Sequence, residues 1–516
     1  MIRDRSYAQS AVVTYGAHVM IRRWHLRFAL LVTTATCFTG IAGGLNPAAA
    51  ADLTRYAEQQ LIWRKCSGEM QCAKLTVPRD YADLAAGDIQ IALSRVPHSG
   101  TTFQGSIVVN PGGPGGSGTD FASSVAAMVA PEVSQQFDIV GFDPRGVAAS
   151  APVTCMNGSQ TTRWLLADPT PETRSEQNIL MGLAREISAG CLQYSPRIAP
   201  FISTANTVND LDILRSALGE QKLNLLGFSY GTSLGALYAQ KFPSQVGRMV
   251  LDGAVDPSLN GMEISKGQSG GFQGALVRFA KDCANRSNCP YSGDVNDVLT
   301  GINQLLASLE DHRLPTGGFE SLNQAQAVTA LFWSMYSPDF WGTLRSALRE
   351  AERGQGGDLQ WLSNQATDRV GKNRYGSNQS SAFYAISCLD SPATPGRTGL
   401  AAAAKAWSKN TPVPEMARAM SWGNAPCSFW FDHLGGQPAA VTSTTTAPIV
   451  IVGTRFDPAT PYSWAIALHE QLPTSSLMTF EGDGHTAYGA GSACVDNAID
   501  DFLLTGNAPA SGKTCN

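Results

Sequence analysis

Two segments of the chain contain a serine between glycines in the pattern Gly-x-Ser-x-Gly, and their surroundings differ. The first, centred on Ser229, follows the apolar run 223–226 and opens a helix-like segment at 233–242. A serine at a sharp turn between strand and helix has its hydroxyl lifted clear of the sheet, where it can attack a carbonyl carbon. The second, centred on Ser269, has no strand before it and predicts a flexible loop. Ser229 is therefore the candidate nucleophile, and the alternative is a tight glycine turn.

A serine hydroxyl needs a base to take its proton, and the base needs an acid that holds its ring in one tautomer. His485 follows the apolar strand 477–480, and Asp457 follows the strand 449–452. The chain order serine, aspartate, histidine is the one that accompanies this kind of serine turn. We therefore assign His485 as base and Asp457 as acid, with Asp483 as the rival acid and helix capping as the alternative role of Asp457. Four other histidines follow residue 50. His98 precedes the serine, His312 and His433 fall in a later tryptophan-rich region, and His469 lies in a helical segment.

The charge that develops on an attacked carbonyl oxygen is stabilised by two backbone N–H groups. One is expected from Tyr230, directly after the nucleophile, and the other from Gly112 or Gly113 in the glycine-rich loop after the strand 106–110. The same loop also fits a dinucleotide-binding fingerprint that begins at Gly113, with Asp143 at the end of the next strand as the ribose ligand. A proline inside the loop removes one N–H, and this alternative leaves the serine turn unexplained.

Short apolar runs alternate with helical segments along most of the chain. The runs lie at 106–110, 137–142, 223–226, 249–251, 449–452 and 477–480. Continuous apolar strands separated by helices are typical of a mostly parallel sheet covered on both faces, with functional groups where the strands end. The sequence thus predicts an α/β protein with a mostly parallel central sheet.

Residues 258–446 interrupt this alternation and predict a large, mainly helical inserted cap. The expected organisation is an export signal at 1–50, core segments at 52–257 and 447–516, and the cap between them, with the acid and the histidine in the last segment. The cap contains six of the ten tryptophans, which we expect either in its own core or in the roof of a cleft: Trp333, Trp341, Trp361, Trp407, Trp422 and Trp430.

The first fifty residues have a basic segment, a short apolar run and an alanine-rich stretch, as in a secretory signal. The run is short for a spanning helix, so the alternative is a retained membrane anchor, and Met20 is an alternative start. We expect a secreted or envelope-associated protein with no stable membrane span after signal cleavage. The formal net charge is −5, and no basic run interleaved with aromatic residues occurs, so no nucleic-acid partner is expected.

Ten cysteines follow the signal segment, and an even number in an exported chain predicts disulfides. No Cys-x-x-Cys pair occurs in the sequence, and only five histidines follow residue 50. We therefore expect no metal site, and the chemistry assigned to Ser229 needs neither metal nor organic cofactor.

Six short motifs are spread over roughly residues 60–515. They are Asn110-Pro-Gly-Gly-Pro-Gly-Gly, Gly-Phe-Asp143-Pro-Arg-Gly, Leu-Gly-Phe-Ser229-Tyr-Gly-Thr, Val-Leu-Asp252-Gly-Ala-Val-Asp256-Pro, Gly-Thr-Arg-Phe-Asp457-Pro-Ala-Thr-Pro and Gly484-His485. Together they resemble the secreted tripeptidyl aminopeptidase branch of the proline iminopeptidase-like serine peptidases. The resemblance implies an α/β-hydrolase fold, a triad of Ser229, Asp457 and His485, and removal of short peptides from free N-termini. One departure is Pro111, where proline iminopeptidases usually have histidine, and it leaves the triad unaffected.

Sequence proximity and this resemblance together suggest five disulfides. The expected pairs are Cys66 with Cys72, Cys155 with Cys191, Cys283 with Cys289, Cys388 with Cys427, and Cys494 with Cys515.

The leading function is release of short peptides, in particular tripeptides, from free N-termini through an acyl-enzyme on Ser229. Because the same triad cleaves esters, a secreted esterase or lipase acting on envelope lipids is the alternative, and a non-catalytic binding protein of the same fold is a third. An aminopeptidase must bind the substrate ammonium, and an unpaired charge in a cleft is costly, so a carboxylate partner is expected. Asp390, close to Cys388, is the candidate, and a solvated loop acid is its alternative role.

Overall fold

The computed structural model of this chain describes residues 53–391, 395–431 and 437–516. The predicted export signal at 1–50 and His433 lie outside the described residues. None of the helices within these ranges is both long enough and apolar enough to cross a bilayer.

In the described part of the chain, twelve strands form a large sheet and a small one. They are β1 Arg64–Ser67, β2 Met70–Pro78, β3 Asp88–Val96, β4 Gly105–Asn110, β5 Phe137–Phe142, β6 Leu223–Phe228, β7 Val246–Asp252, β8 Arg369–Gly371, β9 Arg374–Tyr375, β10 Ile449–Phe456, β11 Ser475–Asp483 and β12 Lys513–Cys515. The large sheet has the order β1-β2-β3-β5-β4-β6-β7-β10-β11-β12, and β8 pairs with β9 separately. In this spatial order, the neighbouring strands from β1 to β5 are antiparallel, and the neighbouring strands from β5 to β12 are parallel.

Sixteen helices accompany these strands in the described ranges, besides a short helical segment at 53–57 and isolated 3₁₀ turns. They are α1 Gly118–Met128, α2 Pro131–Ser134, α3 Gly158–Leu165, α4 Arg174–Tyr194, α5 Thr204–Ala217, α6 Tyr230–Lys241, α7 Gly261–Ala284, α8 Val295–Asp311, α9 Gln324–Met335, α10 Trp341–Glu352, α11 Gly357–Ala366, α12 Gln379–Asp390, α13 Arg397–Trp407, α14 Pro414–Trp422, α15 Tyr462–Gln471 and α16 Ala493–Thr505.

The central strands are apolar along their whole length because both faces of the sheet are covered. Successive side chains of a strand point to opposite faces, so Val108 packs in the core formed with α5, α6 and α15. Its neighbours Ile107 and Val109 pack in the opposite core, formed with α1 and α16. The arrangement is that of the α/β-hydrolase fold, and it brings the carboxyl ends of the parallel strands to one edge.

The region 258–446 is largely helical, from α7 to α14. Helices α7 to α11 and α14 share a hydrophobic core, while α12 to α14 also pack on the segment between β5 and β6, which includes α3 and α4. The predicted helix at 340–352 corresponds to α10. Most of the region's tryptophans serve this packing: Trp333 and Trp422 are buried, Trp341 and Trp407 are packed against the core, and Trp361 is exposed.

The ten cysteines of the described ranges lie in five pairs at bonding distance, with the pairing that the sequence suggested. The pairs are Cys66–Cys72, Cys155–Cys191, Cys283–Cys289, Cys388–Cys427 and Cys494–Cys515. The last one ties the C-terminal strand β12 to the start of α16.

Candidate active site

Ser229 lies at the turn between β6 and α6, and its backbone adopts φ 54° and ψ −123°. A positive φ is uncommon for a residue with a side chain and persists only where the surroundings fix it. The Ser229 N–H donates to the carbonyl of Asp252 at 2.9 Å. A Cβ at Gly227 would lie 2.5 Å from the carbonyl oxygen of Gly231, and one at Gly231 would lie 2.9 Å from that of Asn110. Both glycines are therefore required by the tightness of this turn.

The second Gly-x-Ser-x-Gly segment is helical, so the expectation of a flexible loop there was wrong. Ser269 lies in the interior of α7 and is buried. The glycines on either side let this helix approach the core closely. A Cβ at Gly271 would lie 2.4 Å from the carbonyl oxygen of Pro458, and one at Gly267 would lie 2.5 Å from the ring of Trp464. The motif here provides close packing, not an exposed hydroxyl.

His485 and Asp457 meet at the carboxyl ends of β11 and β10. The imidazole Nδ1 lies 2.9 Å from each oxygen of the carboxylate, and both side chains are almost fully buried. Asp457 also accepts the N–H groups of Ala459 and Thr460 at 2.8 Å and the Thr460 hydroxyl at 3.0 Å. A carboxylate fixed by this many donors can hold an imidazole in one orientation and stabilise its protonated form.

The cap contacts the histidine loop directly. The backbone N–H of His485 donates to the carbonyl of Tyr336 at 2.8 Å, and the two rings meet edge to face at 5.4 Å between centroids. Asp483, the rival acid, forms an ion pair with Arg278 of α7 instead, with a second hydrogen bond of 2.7 Å in the pair. Cap and core thus both determine where the imidazole lies.

The glycine-rich loop after β4 lies against the serine turn. A Cβ at Gly112 would be 2.5 Å from the carbonyl oxygen of Phe228 and 2.9 Å from the Tyr230 nitrogen. The N–H of Gly112 donates to the side chain of Asn110 at 2.9 Å, so this donor is already engaged. Gly113 lines the cavity that contains Ser229 and Tyr230. Of the two glycines considered from the sequence, Gly113 is the one with its backbone at the cavity.

Asp143, the acid of the dinucleotide-binding alternative, is fully buried and holds the glycine-rich loop in place. It accepts hydrogen bonds from the Ser117 hydroxyl at 2.8 Å, the Thr119 N–H at 3.1 Å and the Ala149 N–H at 3.1 Å. Burial raises the pKa of its carboxyl. A side chain engaged in this way has no oxygen directed at a ribose, which argues against that alternative.

A cavity of about 530 Å³ contains Ser229, and its walls come from both core and cap. Most of the lining is apolar, and two carboxylates, Asp256 and Asp390, belong to it. The tryptophan in the lining is Trp464 of α15, and none of the six cap tryptophans takes part. Of the two positions expected for the cap tryptophans, their own core is the one that the structure shows, because those that are buried pack within the helical layers.

Asp390 is the last residue of α12 and lies at the cavity wall behind Tyr230. Its carboxylate accepts the N–H of Thr204 at 3.0 Å and the Thr204 hydroxyl, which also contacts the Tyr230 hydroxyl. Burial raises the pKa of Asp390 to about 7. The sequence alternative of a solvated loop acid does not match this position. A cationic group bound in the cavity would pair with this carboxylate and favour its charged form.

Two other histidines of the core have structural partners. His98 Nδ1 contacts Asp138 at 2.8 Å, and His469 Nδ1 contacts the Ser475 hydroxyl at 2.8 Å. Within the described ranges, no group of three or more His, Cys, Asp or Glu is arranged to hold a metal ion.

Several site residues were not singled out from the sequence. Thr460 belongs to the Asp457 motif and Asp252 to a motif of its own, but the motifs alone indicate no role for either residue. Tyr336 and Thr204 had no sequence signal, because they reach the site only through the packing of cap and core.

Comparisons with known proteins give relatives over most of the chain. A family model described as "TAP-like protein" matches residues 411–515. Serine protease Hip1 from Mycobacterium tuberculosis is 36% identical over 468 residues, which cover 87% of this chain and 88% of that protein. Tripeptidyl aminopeptidase from Streptomyces coelicolor is 33% identical over 492 residues, covering 90% and 88% respectively. Carboxylesterase B from Mycobacterium tuberculosis is 34% identical over 457 residues, covering 86% of each.

Proposed function

Since this chain belongs to the tripeptidyl aminopeptidase family of serine peptidases, we propose that it is an exported enzyme that releases tripeptides from free N-termini. The observation that carries the proposal is the cavity around Ser229, which is mainly apolar and contains the carboxylate of Asp390. Its volume of about 530 Å³ lies within the range of pockets that enclose small ligands, about 300–1,000 Å³.

In the proposed mechanism the Ser229 hydroxyl attacks the scissile carbonyl carbon while Nε2 of His485 takes its proton. Asp457, on Nδ1 of the same ring, stabilises the imidazolium that forms. The N–H groups of Tyr230 and Gly113 stabilise the oxyanion. The peptide C–N bond then breaks, the leaving amine takes the proton from His485, and a water molecule activated by His485 hydrolyses the acyl-enzyme.

The requirement for a free N-terminus is assigned to Asp390. An ammonium group inside an apolar cavity loses its hydration and needs an anionic partner there. Asp256 lines the same cavity, but one of its oxygens already accepts three hydrogen bonds, from the Ser258 N–H, the Ser258 hydroxyl and Gln471. Both oxygens of Asp390 accept hydrogen bonds from Thr204, and burial raises the pKa of this carboxyl to about 7, so a neighbouring ammonium would stabilise its charged form.

Export is supported by the signal-like N-terminal segment and by the five cysteine pairs, since disulfides persist in oxidising compartments. The measurement for this part is N-terminal sequencing of the protein recovered from culture medium and envelope, with a mature start near Ala50 as the expected result.

The test of substrate class compares a tripeptide anilide with its N-acetylated form. We expect kcat/KM to be about 100-fold higher for the free amine, because a hydrogen-bonded ion pair contributes about 1.5–3 kcal/mol. Asp390→Asn should reduce this ratio below about tenfold, whereas Asp256→Asn, the matched change at the other cavity carboxylate, should preserve it. Equal kcat/KM for the two substrates would contradict the aminopeptidase proposal, and loss of the preference in Asp256→Asn alone would contradict the role of Asp390.

Similarity to Carboxylesterase B makes ester hydrolysis the second candidate function. A nitrophenyl ester of a fatty acid and the free-amine tripeptide anilide separate the two. We expect the peptide to be the better substrate by kcat/KM, because the Asp390 carboxylate in the cavity wall favours a cation over an acyl chain. A higher kcat/KM for the fatty ester, with no preference for a free amine, would favour the esterase.

A further inference from the structure

Asp252, the last residue of β7, connects the serine turn to the histidine loop. Its carbonyl oxygen accepts the N–H of Ser229 at 2.9 Å. Its carboxylate, which is fully buried, accepts the N–H of Tyr488 at 2.8 Å and that of Ala487 at 3.0 Å. Ala487 and Tyr488 are the second and third residues after His485. One residue therefore contacts the backbones on which the nucleophile and the base are placed.

The histidine loop needs such a support because its backbone is unfavourable. Thr486, directly after His485, has φ 68°, and a β-branched residue rarely adopts a positive φ. Conformations of this kind are strained and persist only when neighbouring groups fix them. The Asp252 carboxylate contacts the two N–H groups immediately beyond the strained residue.

The neighbouring Gly253 shows how closely the two loops approach. A Cβ at this position would lie 3.1 Å from Cε1 of His485 and 3.0 Å from Cγ2 of Thr486. Any side chain at position 253 would therefore press on the histidine loop, and movements of the loop away from β7 would lengthen the hydrogen bonds to Asp252. The close approach of the two loops thus requires glycine at position 253, and the hydrogen bonds to Asp252 hold the histidine loop against this strand end.

We propose that Asp252 is a positioning residue that holds the loop of His485 at the distance from Ser229 that proton transfer requires. This inference rests on the proposed roles of Ser229 and His485. Hydrogen bonds to an ionised acceptor are about twice as strong as those between neutral groups, so the ionised carboxylate is the form that fixes the loop.

The ionisation of Asp252 is coupled to the site. Burial raises its pKa to about 6, the N–H groups of Tyr488 and Ala487 act in the opposite direction, and the charged groups facing it are His485 and Asp457. Since the folded-state pKa is raised, the loop is held by the charged carboxylate above about pH 6 and loses this support as the pH falls below it. Both Asp252 and His485 must then be deprotonated for full activity.

The experiment compares Asp252→Asn with Asp500→Asn. Asp500 is a buried carboxylate that contacts the same segment through the Tyr488 hydroxyl, but it does not contact the loop N–H groups. We expect Asp252→Asn to lower kcat on the tripeptide anilide about 10–100-fold with KM changed less than threefold, because misplacement of a catalytic group acts on the chemical step. Fluorophosphonate labelling of Ser229 should slow in parallel. Asp500→Asn should stay within threefold of the wild type in both measurements.

The pH profile provides a readout that a purely structural residue would not change. In the wild type, a plot of log kcat/KM against pH should have a slope above one on its acid side. In Asp252→Asn this slope should be one, because one of the two required deprotonations has been removed. Equal kcat for the two variants, or an unchanged slope, would overturn the proposal. If Asp252→Asn does not fold, an acid-side slope of one in the wild type overturns it. Ser229→Ala distinguishes failure of the proposed function from failure of the positioning role. Retained activity in Ser229→Ala would contradict the proposed function, whereas the comparison of the two Asp variants tests only the positioning role of Asp252.

Discussion

Replacing Gly112 with alanine should disable the site while leaving the fold intact. The new Cβ would lie 2.5 Å from the carbonyl oxygen of Phe228 and 3.0 Å from Cβ of Ser229. These are backbone atoms and a Cβ, so no side-chain rotation relieves the overlap. Reaching an ordinary contact of 3.4 Å would require the two segments to separate by about 0.9 Å.

The size of the effect follows from this separation. A misplacement of about 1 Å costs on the order of 100-fold in rate, and loss of one oxyanion donor costs about 100- to 1,000-fold. Gly112 also has φ +92°, which an alanine tolerates only with a strain of about 1–3 kcal/mol. We therefore expect Gly112→Ala to lower kcat at least 100-fold and the free energy of unfolding by about 1–3 kcal/mol.

The assay is steady-state hydrolysis of the tripeptide anilide, with fluorophosphonate labelling of Ser229 and urea unfolding on the same preparations. Gly270→Ala is the matched control, because this glycine lies in α7, has no atom within 4 Å of its added Cβ and has an ordinary φ. The control should keep wild-type kcat and be slightly stabilised, since alanine is the better helix former. A kcat for Gly112→Ala within threefold of the control would show that the loop and the serine turn need not stay in contact.

Two further predictions concern buried charges. Arg145→Met should lower the free energy of urea unfolding by about 3–5 kcal/mol, because it removes the cationic partner of the buried Asp210 carboxylate. Arg163→Met, at an exposed ion pair, should change this free energy by less than about 1 kcal/mol. Equal effects of the two substitutions would contradict the prediction. Burial raises the pKa of Asp390 to about 7 in the folded protein. The folded protein therefore binds a proton at Asp390 more tightly than the unfolded chain does. As a result, the contribution of Asp390 to the free energy of unfolding falls as the pH rises from about 4 to 7. Asp390→Asn should therefore gain stability relative to the wild type over this range, and a difference in unfolding free energy that is the same at pH 4 and pH 8 would contradict the assignment.

Much of the fold and of the candidate site could be predicted from local sequence patterns. Ser229, Asp457 and His485 each follow an apolar run, and the parallel strands formed by such runs end at one edge of the sheet. Their assignment therefore needed only the order of strands and the chemistry of each residue type. The mostly parallel sheet followed from the same runs, which are apolar at every position because both of their faces are covered.

Other features could not be predicted, because they depend on which distant segments pack together. The glycines around Ser269 suggested a loop, yet they lie in α7, where their missing side chains admit Pro458 and Trp464. The choice between Gly112 and Gly113 required knowing that Asn110 accepts the Gly112 N–H.

Local patterns along the chain were sufficient to predict the strands, the candidate nucleophile, base and acid, and the likeness to a family of serine peptidases. The groups that surround these residues follow only from the packing of distant segments. This packing brings Tyr336 of the cap onto His485 and Asp252 onto the backbone beyond it, and it encloses Asp390 in the cavity with Ser229. The physical reason is that local patterns report the environment of a single segment, whereas the orientation of an imidazole and the pKa of a carboxylate depend on groups that arrive from several segments at once.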